Sequence, residues 1–355
     1  MIRHIKWPSI EQFRNVCRNI THRAQSVGMD DFGDAIMDRA AIKPTLNFEG
    51  TVKLHGTNSA VCLSPEGEMW FQSRENIITP DKDNAGFAMF AIGNKGEFGK
   101  LCWAALNLST CEQILNKSGD NSKHYLVIFG EWCGQGIQKG VAISELSKMF
   151  VIFGIALVDE EGHKTYLTRK QVEDVCVDAA GQIKCIYDFP TYEMVIDFEN
   201  PHESQNRLNE ITEEVEAECP VGKALGVSGV GEGVVWRCVE QGWEDSGYWF
   251  KVKGEKHSKS KVKTLATVDV ERINTIKELA ERLAHKGRLE QMHQQVFNTL
   301  NGGETDMTKM GDFIKAVMSD VFKEDTDIIA ASGFTGKEIS QPIFNICRKF
   351  ISGKL

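Results

Sequence analysis

The chain has 355 residues, 41% of them apolar and 26% charged, with a net charge of -9 and a pI near 5.6. That length accommodates about two domains with sizeable cores. The acidic balance excludes a protein held on polyanions by its overall field, so any nucleic acid must be met by a local basic patch.

Ten cysteines are scattered with no pair at C-x-x-C spacing, which argues against a structural zinc site and for reduced thiols in a cytoplasmic protein. The opening "MIRHIKWPSIEQF" has no apolar core of a signal peptide. The longest apolar run, "MFVIFGIALV", is about half of what a membrane helix needs. The expectation is a soluble, cytoplasmic protein without a membrane partner.

From Asn47 to Lys253 the pattern predicts short strands between Gly-, Asp- and Pro-bearing turns. "KPTLNFEGTVKLHG", "EMWFQSR", "YLVIFGEW", "MFVIFGIALV", "GVVWRCV" and "GYWFKVK" combine β-branched and aromatic residues at strand length. Helices are predicted over Ala85–Leu106 and Arg169–Ala179, and a polar stretch over Asn200–Gly226 reads as helix plus loop. From Val268 onward the chain is predicted helical, with Asp269 as a cap and Ile273, Ile276, Leu279 and Leu283 as one apolar stripe. Further helices are expected over Thr308–Phe322 and Pro342–Ile351. The plan is α+β, with an all-α tail.

In "TVKLHGTNSAV" strand periodicity sends Val52 and Leu54 to one face and Lys53 and His55 to the other. Such a pair either points into a cleft or lies on a solvated strand face. Gly56 lets a ligand approach the backbone or bends the strand. "GYWFKVK" repeats the pattern, with Phe250 and Val252 on one face and Lys251 and Lys253 on the other. Glu232, between two glycines, and Glu131, at the end of an apolar run, add carboxylates at strand ends.

Together these residues suit one chemistry. A nucleophilic lysine must be neutral, and an ordinary lysine has a pKa near 10.4. Lys251, Lys253 and a divalent metal near Lys53 would lower that value and neutralise phosphate oxygens. Carboxylates suit ribose hydroxyls or a hard cation, and Phe153 offers a ring for a purine. The "GFTGKE" stretch lacks the spacing of a phosphate-binding loop. Cys133 is read as a small buried residue.

The order K-L-H-G-T-N, F-G-E-W-C-G, V-I-F-G, G-E-G-V-V and F-K-V-K resembles nucleotidyltransferase motifs I, III, IIIa, IV and V of the covalent ligase and capping-enzyme superfamily. Histidine in K-x-H-G, together with "FGEWCGQGIQK", is similar to the bacteriophage-type RNA ligase 2 family. The resemblance implies a nucleotidyltransferase domain of ATP-grasp-like antiparallel sheets over residues 1–263 and a small all-α domain over 264–355. It implies ATP and Mg2+ (or Mn2+), with Lys53 forming the lysyl-AMP. His55 and Asn58 would contact phosphates, with Gly56 beside them. Arg74 would meet nucleotide and RNA end, Glu131 the ribose, and Phe153 the adenine. Glu232 would serve the metal, and Lys251 and Lys253 the α-phosphate. Two departures stand out: Val52 replaces a glutamate common before the motif I lysine, and Gly154 replaces an acidic residue.

Six lysines within Lys251–Lys263, with His257, read as either a solvated linker or a backbone-contacting segment for nucleic acid. The implied partner is RNA, as a nicked duplex or as ends in a hybrid, and RNA repair in a bacterial virus is what the family suggests. A capping-type guanylyltransferase or a ligase of DNA/RNA hybrids would use the same lysine. A binding protein on a decayed ligase fold would not be adenylated.

Overall fold

The computed structural model describes residues 2–30, 35–83, 85–117, 124–254, 276–297 and 307–353. In chain order, β1 (Glu11–Gln12) leads into α1 (Phe13–Gln25), a hairpin of β2 (Ser26–Met29) and β3 (Ala35–Met37), and the long β4 (Thr45–Lys53). Next come β5 (Thr57–Leu63), β6 (Met69–Ser73), β7 (Ile77–Ile78), and helices α2 (Phe87–Gly93), α3 (Lys95–Leu106) and α4 (Ser109–Lys117). After β8 (Tyr125–Cys133), β9 (Met149–Val158) and β10 (Lys164–Tyr166) follow α5 (Arg169–Cys176), β11 (Ile183–Cys185) and β12 (Thr191–Asp197). Helices α6 (Glu203–Ala217) and α7 (Pro220–Ala224) precede β13 (Gly233–Cys238) and β14 (Phe250–Lys253). The remainder is helical: α8 (Ile276–Leu283), α9 (Lys286–Phe297), α10 (Met310–Glu324), α11 (Thr326–Ala331) and α12 (Gly336–Ile351). The mixed α+β fold with a helical C-terminal region is therefore as expected.

The chain forms two compact units, Met1–Ser9 with Gly50–Tyr192 and Ala217–Glu232, and Ile10–Glu49 with Glu193–Glu216 and Gly233–Leu355. The first unit holds a sheet ordered β10-β9-β8-β5-β6-β7, with β11 added in parallel to β9 and the other pairs antiparallel. Alternation divides its side chains between two faces. Ala60, Cys62, Trp70, Val127, Phe129 and Ala156 cluster on one, and Ile5 and Trp7 of the N-terminal segment pack there. On the other, Phe87 and Phe90 of α2 meet Trp132 at 5.6 and 4.6 Å between ring centroids.

The second unit is built on a sheet ordered β1-β14-β13-β4-β12, in which β1 runs parallel to β14. Phe250 lies 4.9 Å from Phe13, 5.4 Å from Phe48 and 6.2 Å from Trp236 between ring centroids, giving this unit an aromatic core. Its C-terminal helices bury Leu279, Leu289, Phe313, Val317, Ile339 and Ile343 in a separate cluster.

Several helix boundaries differ from expectation, among them Met310–Glu324 for the helix expected over Thr308–Phe322. The helix predicted over Ala85–Leu106 breaks at Asn94, whose side-chain amide donates to the Phe90 carbonyl at 2.8 Å and competes with helix continuation. The helix predicted to reach Ala179 ends at Cys176. The last helix begins at Gly336 and carries Pro342 inside it, because Thr335 caps it: Glu338 N–H donates to Thr335 Oγ1, and Thr335 N–H to the Glu338 carboxylate. "GFTGKE" is thus a capping box. Asp269 and the lysines from Lys256 to Lys263 lie outside the described residues.

Candidate active site

The first unit gathers the charged residues around Lys53. Val52 and Leu54 are buried, so the chain alternation directs Lys53 and His55 the other way, as periodicity requires. Lys53 Nζ donates to Glu232 Oε2 at 2.7 Å, and His55 Nδ1 lies 3.1 Å from the same oxygen. Glu232 is only 2% exposed, whereas the Lys53 side chain is 23% exposed. The sequence placed Glu232 between two glycines at a strand end; its carboxylate is buried, and Lys53 and His55 converge on one of its oxygens. Around Lys53 the pattern suggested cations, yet the bonded partner is an anion. A buried carboxylate needs such partners to remain charged.

Glu131 joins this group through strand register. Antiparallel pairing of β5 with β8 sets Asn58 opposite Glu131 and Thr57 opposite Trp132. Directly opposed residues share a face, so Asn58 and Glu131 stand side by side. Glu131 Oε1 accepts from the Gly56 N–H at 2.9 Å. Gly56 is needed for packing, since a Cβ there would sit 2.4 Å from the Trp132 carbonyl oxygen and 2.7 Å from Cys133 Cβ. Its smallness serves the close passage of β8, where a ligand approach or a bend was expected. Cys133 is buried, and burial pushes its thiol well above the usual range.

Burial raises the Glu131 carboxyl to about 7, against the pull of Lys53 and with the push of Glu232. A raised acid stabilises the fold below its unfolded pKa near 4.5, and that contribution is lost as pH rises through about 7. Glu131→Gln keeps an acceptor for Gly56 and removes the titration. Relative to the wild type, this variant is expected to gain stability between pH 4.5 and 7, by about 3 kcal/mol at most. Thermal unfolding of both proteins across that range measures it; parallel pH profiles would contradict it.

The RNA ligase family profile matches residues 47–253, which include every one of these groups. The chain belongs to the RNA ligase family. No curated protein matches it. Among solved structures it is similar to the Naegleria gruberi RNA ligase. Against a variant of that protein with ATP and Mn, identity is 18% and the TM-score 0.43, covering 72% of this chain and 58% of that one. Against the form with PPi, identity is 19% and the TM-score 0.43, covering 73% and 60%. This family member therefore spans less than two thirds of those chains, and likeness at that level assigns no residue a role.

The remaining expected site residues of this RNA ligase family member lie as follows. Phe153 falls at the irregularity of the β8–β9 ladder and packs against Trp7, with centroids 4.9 Å apart and planes at 62°. Arg74 follows β6, is 61% exposed, lies 3.7 Å from Glu75, and acts electrostatically on Glu131. In the second unit Lys251 and Lys253 share a face of β14, opposite the buried Phe250 and Val252, as predicted. Lys251 Nζ donates to Glu324 Oε1 at 3.0 Å, and Gln12 Nε2 donates to Glu324 Oε2 at 3.0 Å.

Sequence reasoning missed Trp7, Gln12 and Glu324. Trp7 is held by a strap in which Ile5 N–H donates to Gln72 Oε1 at 3.0 Å and the Gln72 amide donates back to the Ile5 carbonyl. The signal for this strap was a glutamine at a position of β6 that reads as core. No helix among the described residues is long and apolar enough to cross a membrane.

Proposed function

We propose that the protein is an ATP-dependent RNA ligase that joins a 5′-phosphate to a 3′-hydroxyl, with nicked duplex RNA as substrate. The observation that carries this reading is the Lys53–Glu232–His55 arrangement, with Glu131 bonded to Gly56, in a chain of the RNA ligase family.

In the proposed reaction the neutral Lys53 amine attacks the α-phosphorus of ATP. An N–P bond forms, the P–O bond to pyrophosphate breaks, and the lysine proton leaves. The RNA 5′-phosphate then attacks the AMP phosphorus, returning the amine, and the 3′-hydroxyl displaces AMP to make the phosphodiester. Glu232 fixes the amine before attack, His55 holds the carboxylate in place, and Glu131 and Asn58 meet the ribose and phosphates. Phe153 offers the apolar surface for the base, and Arg74, Lys251 and Lys253 bind phosphate. The exposure of Arg74 suits a group that meets an RNA end.

The carboxylates fit a hard cation such as Mg2+ or Mn2+: Glu131 is raised partly by the charge of Glu232, a repulsion that a cation relieves. When bound at Glu232, a divalent cation supplies charge that disfavours the neighbouring ammonium and neutralises phosphate oxygens. Residues 1–263 are assigned adenylyl transfer and 264–355 engagement of the RNA end, in the host cytoplasm if the protein is viral.

Sealing assays test the substrate. Nicked RNA duplexes whose two terminal nucleotides are varied between ribose and deoxyribose should be sealed in proportion to their terminal 2′-hydroxyls. Equal sealing of all-DNA nicks, or sealing fuelled by GTP but not ATP, would reject this reading.

A further inference from the structure

Glu324 ends α10, where the helix dipole is negative and a carboxylate is disfavoured by its own helix. Its placement is owed to the strands it meets. β1 pairs in parallel with β14, and the register sets Gln12 opposite Lys251. Both donate to the Glu324 carboxylate at 3.0 Å, one to each oxygen. Burial opposes the charged form, but Lys251, Gln12 and the charge of Lys253 outweigh it and hold the carboxyl down at about 2. Arg14 adds a hydrogen bond to the Glu324 carbonyl at 2.6 Å and an ion pair with Asp325 at 3.6 Å. An ammonium and an amide donating to the two oxygens of one anion, with the charge of Lys253 acting on it as well, make a binding arrangement suited to phosphate.

We propose that Gln12, Lys251 and Lys253 form an anion seat for a phosphate of the substrate nucleotide, and that Glu324 fills it as an internal competitor. This rests on the reading of Lys251 and Lys253 as phosphate ligands, and it adds Gln12 to the binding residues. A carboxylate and a phosphate oxygen offer the same donors the same charge, so the two exclude each other. Release of Glu324 by incoming phosphate then links nucleotide binding to the end of α10.

The competition predicts opposite signs for two variants of the full chain. Glu324→Gln keeps the shape but removes the competing charge, and should lower KM for ATP in the labelling of Lys53 by at least about 5-fold. Gln12→Ala, added to Glu324→Gln so that no competitor shares its donor, removes a ligand of the seat and should raise KM by at least about 5-fold over Glu324→Gln alone. Melting temperatures recorded alongside separate binding from folding: a purely structural pair would lower both and shift KM in neither or in one common direction. An unchanged or raised KM in Glu324→Gln, or an unchanged KM on adding Gln12→Ala to it, overturns the proposal. If the wild type takes no label from ATP, the nucleotide reading fails, and calorimetry with pyrophosphate alone judges the seat. Tighter pyrophosphate binding by Glu324→Gln than by wild type supports it, and equal binding overturns it.

Discussion

Glu232→Ala is expected to slow adenylyl transfer to Lys53 by about 100- to 1,000-fold, the range seen when one preorganised electrostatic partner is removed from an active site. The reason lies in one oxygen. Glu232 Oε2 accepts from Lys53 at 2.7 Å and lies 3.1 Å from His55 Nδ1, so its removal frees the nucleophile and its neighbour together. Lys53 is the more exposed partner and can turn to water once released, which limits the loss of stability. Activity should therefore fall far more than folding does. Glu232→Gln sharpens the test: an amide still accepts from Lys53 but carries no charge for a cation, so it should stay well below wild type. Single-turnover labelling beside thermal unfolding measures both effects. A rate within about 3-fold of wild type for Glu232→Ala, less than a kcal/mol of transition-state stabilisation, would contradict this role.

Gly233→Ala should be the most damaging small substitution in the second unit. Gly233 adopts φ +148°, a conformation that side chains other than glycine avoid. A Cβ there would lie 2.1 Å from the Val252 carbonyl oxygen and 2.8 Å from Lys253 Cα. Backbone strain of about 1–3 kcal/mol adds to a similar cost of overpacking. The sum, about 2–6 kcal/mol, is a large share of the roughly 5–15 kcal/mol that holds a typical domain folded. Relief requires β13 and β14 to separate where Gly233 faces Lys253. Glu232 is the preceding residue, so the same shift disturbs the carboxylate that meets Lys53. Urea denaturation should show the loss, and a change under about 1 kcal/mol would show that the sheet yields easily.

Strand alternation made much of this site legible. Val52 against Lys53, and Phe250 against Lys251, follow from a period of two residues, and burial of the apolar member decides which side faces inward. The mixed α+β plan and the helical tail followed from turn spacing and from the stripe through Leu279 and Leu283.

What stayed hidden depends on contacts between residues far apart in the chain. Glu232 meets Lys53 across 179 positions, and Gln12 meets Glu324 across 312. No local period encodes such pairings. The glycines around Glu232 carry no signal of its depth: Gly233 allows close strand packing, and the glutamate beside it is buried. Gln72 could not be separated from a core residue by pattern, because its amide is used within the fold to hold Ile5. Helix ends were misplaced where side chains compete with or complete backbone hydrogen bonds, at Asn94 and Thr335.

Adenylylation of the Lys53 amine is the step on which the proposed reaction depends. The direct measurement is to incubate the protein with α-labelled ATP and Mg2+, denature it, and map the label by peptide mass spectrometry. Label is expected on the peptide containing Lys53, with release of pyrophosphate and no label in Lys53→Ala. Label that persists in Lys53→Ala, or a wild type that takes none, would contradict that step.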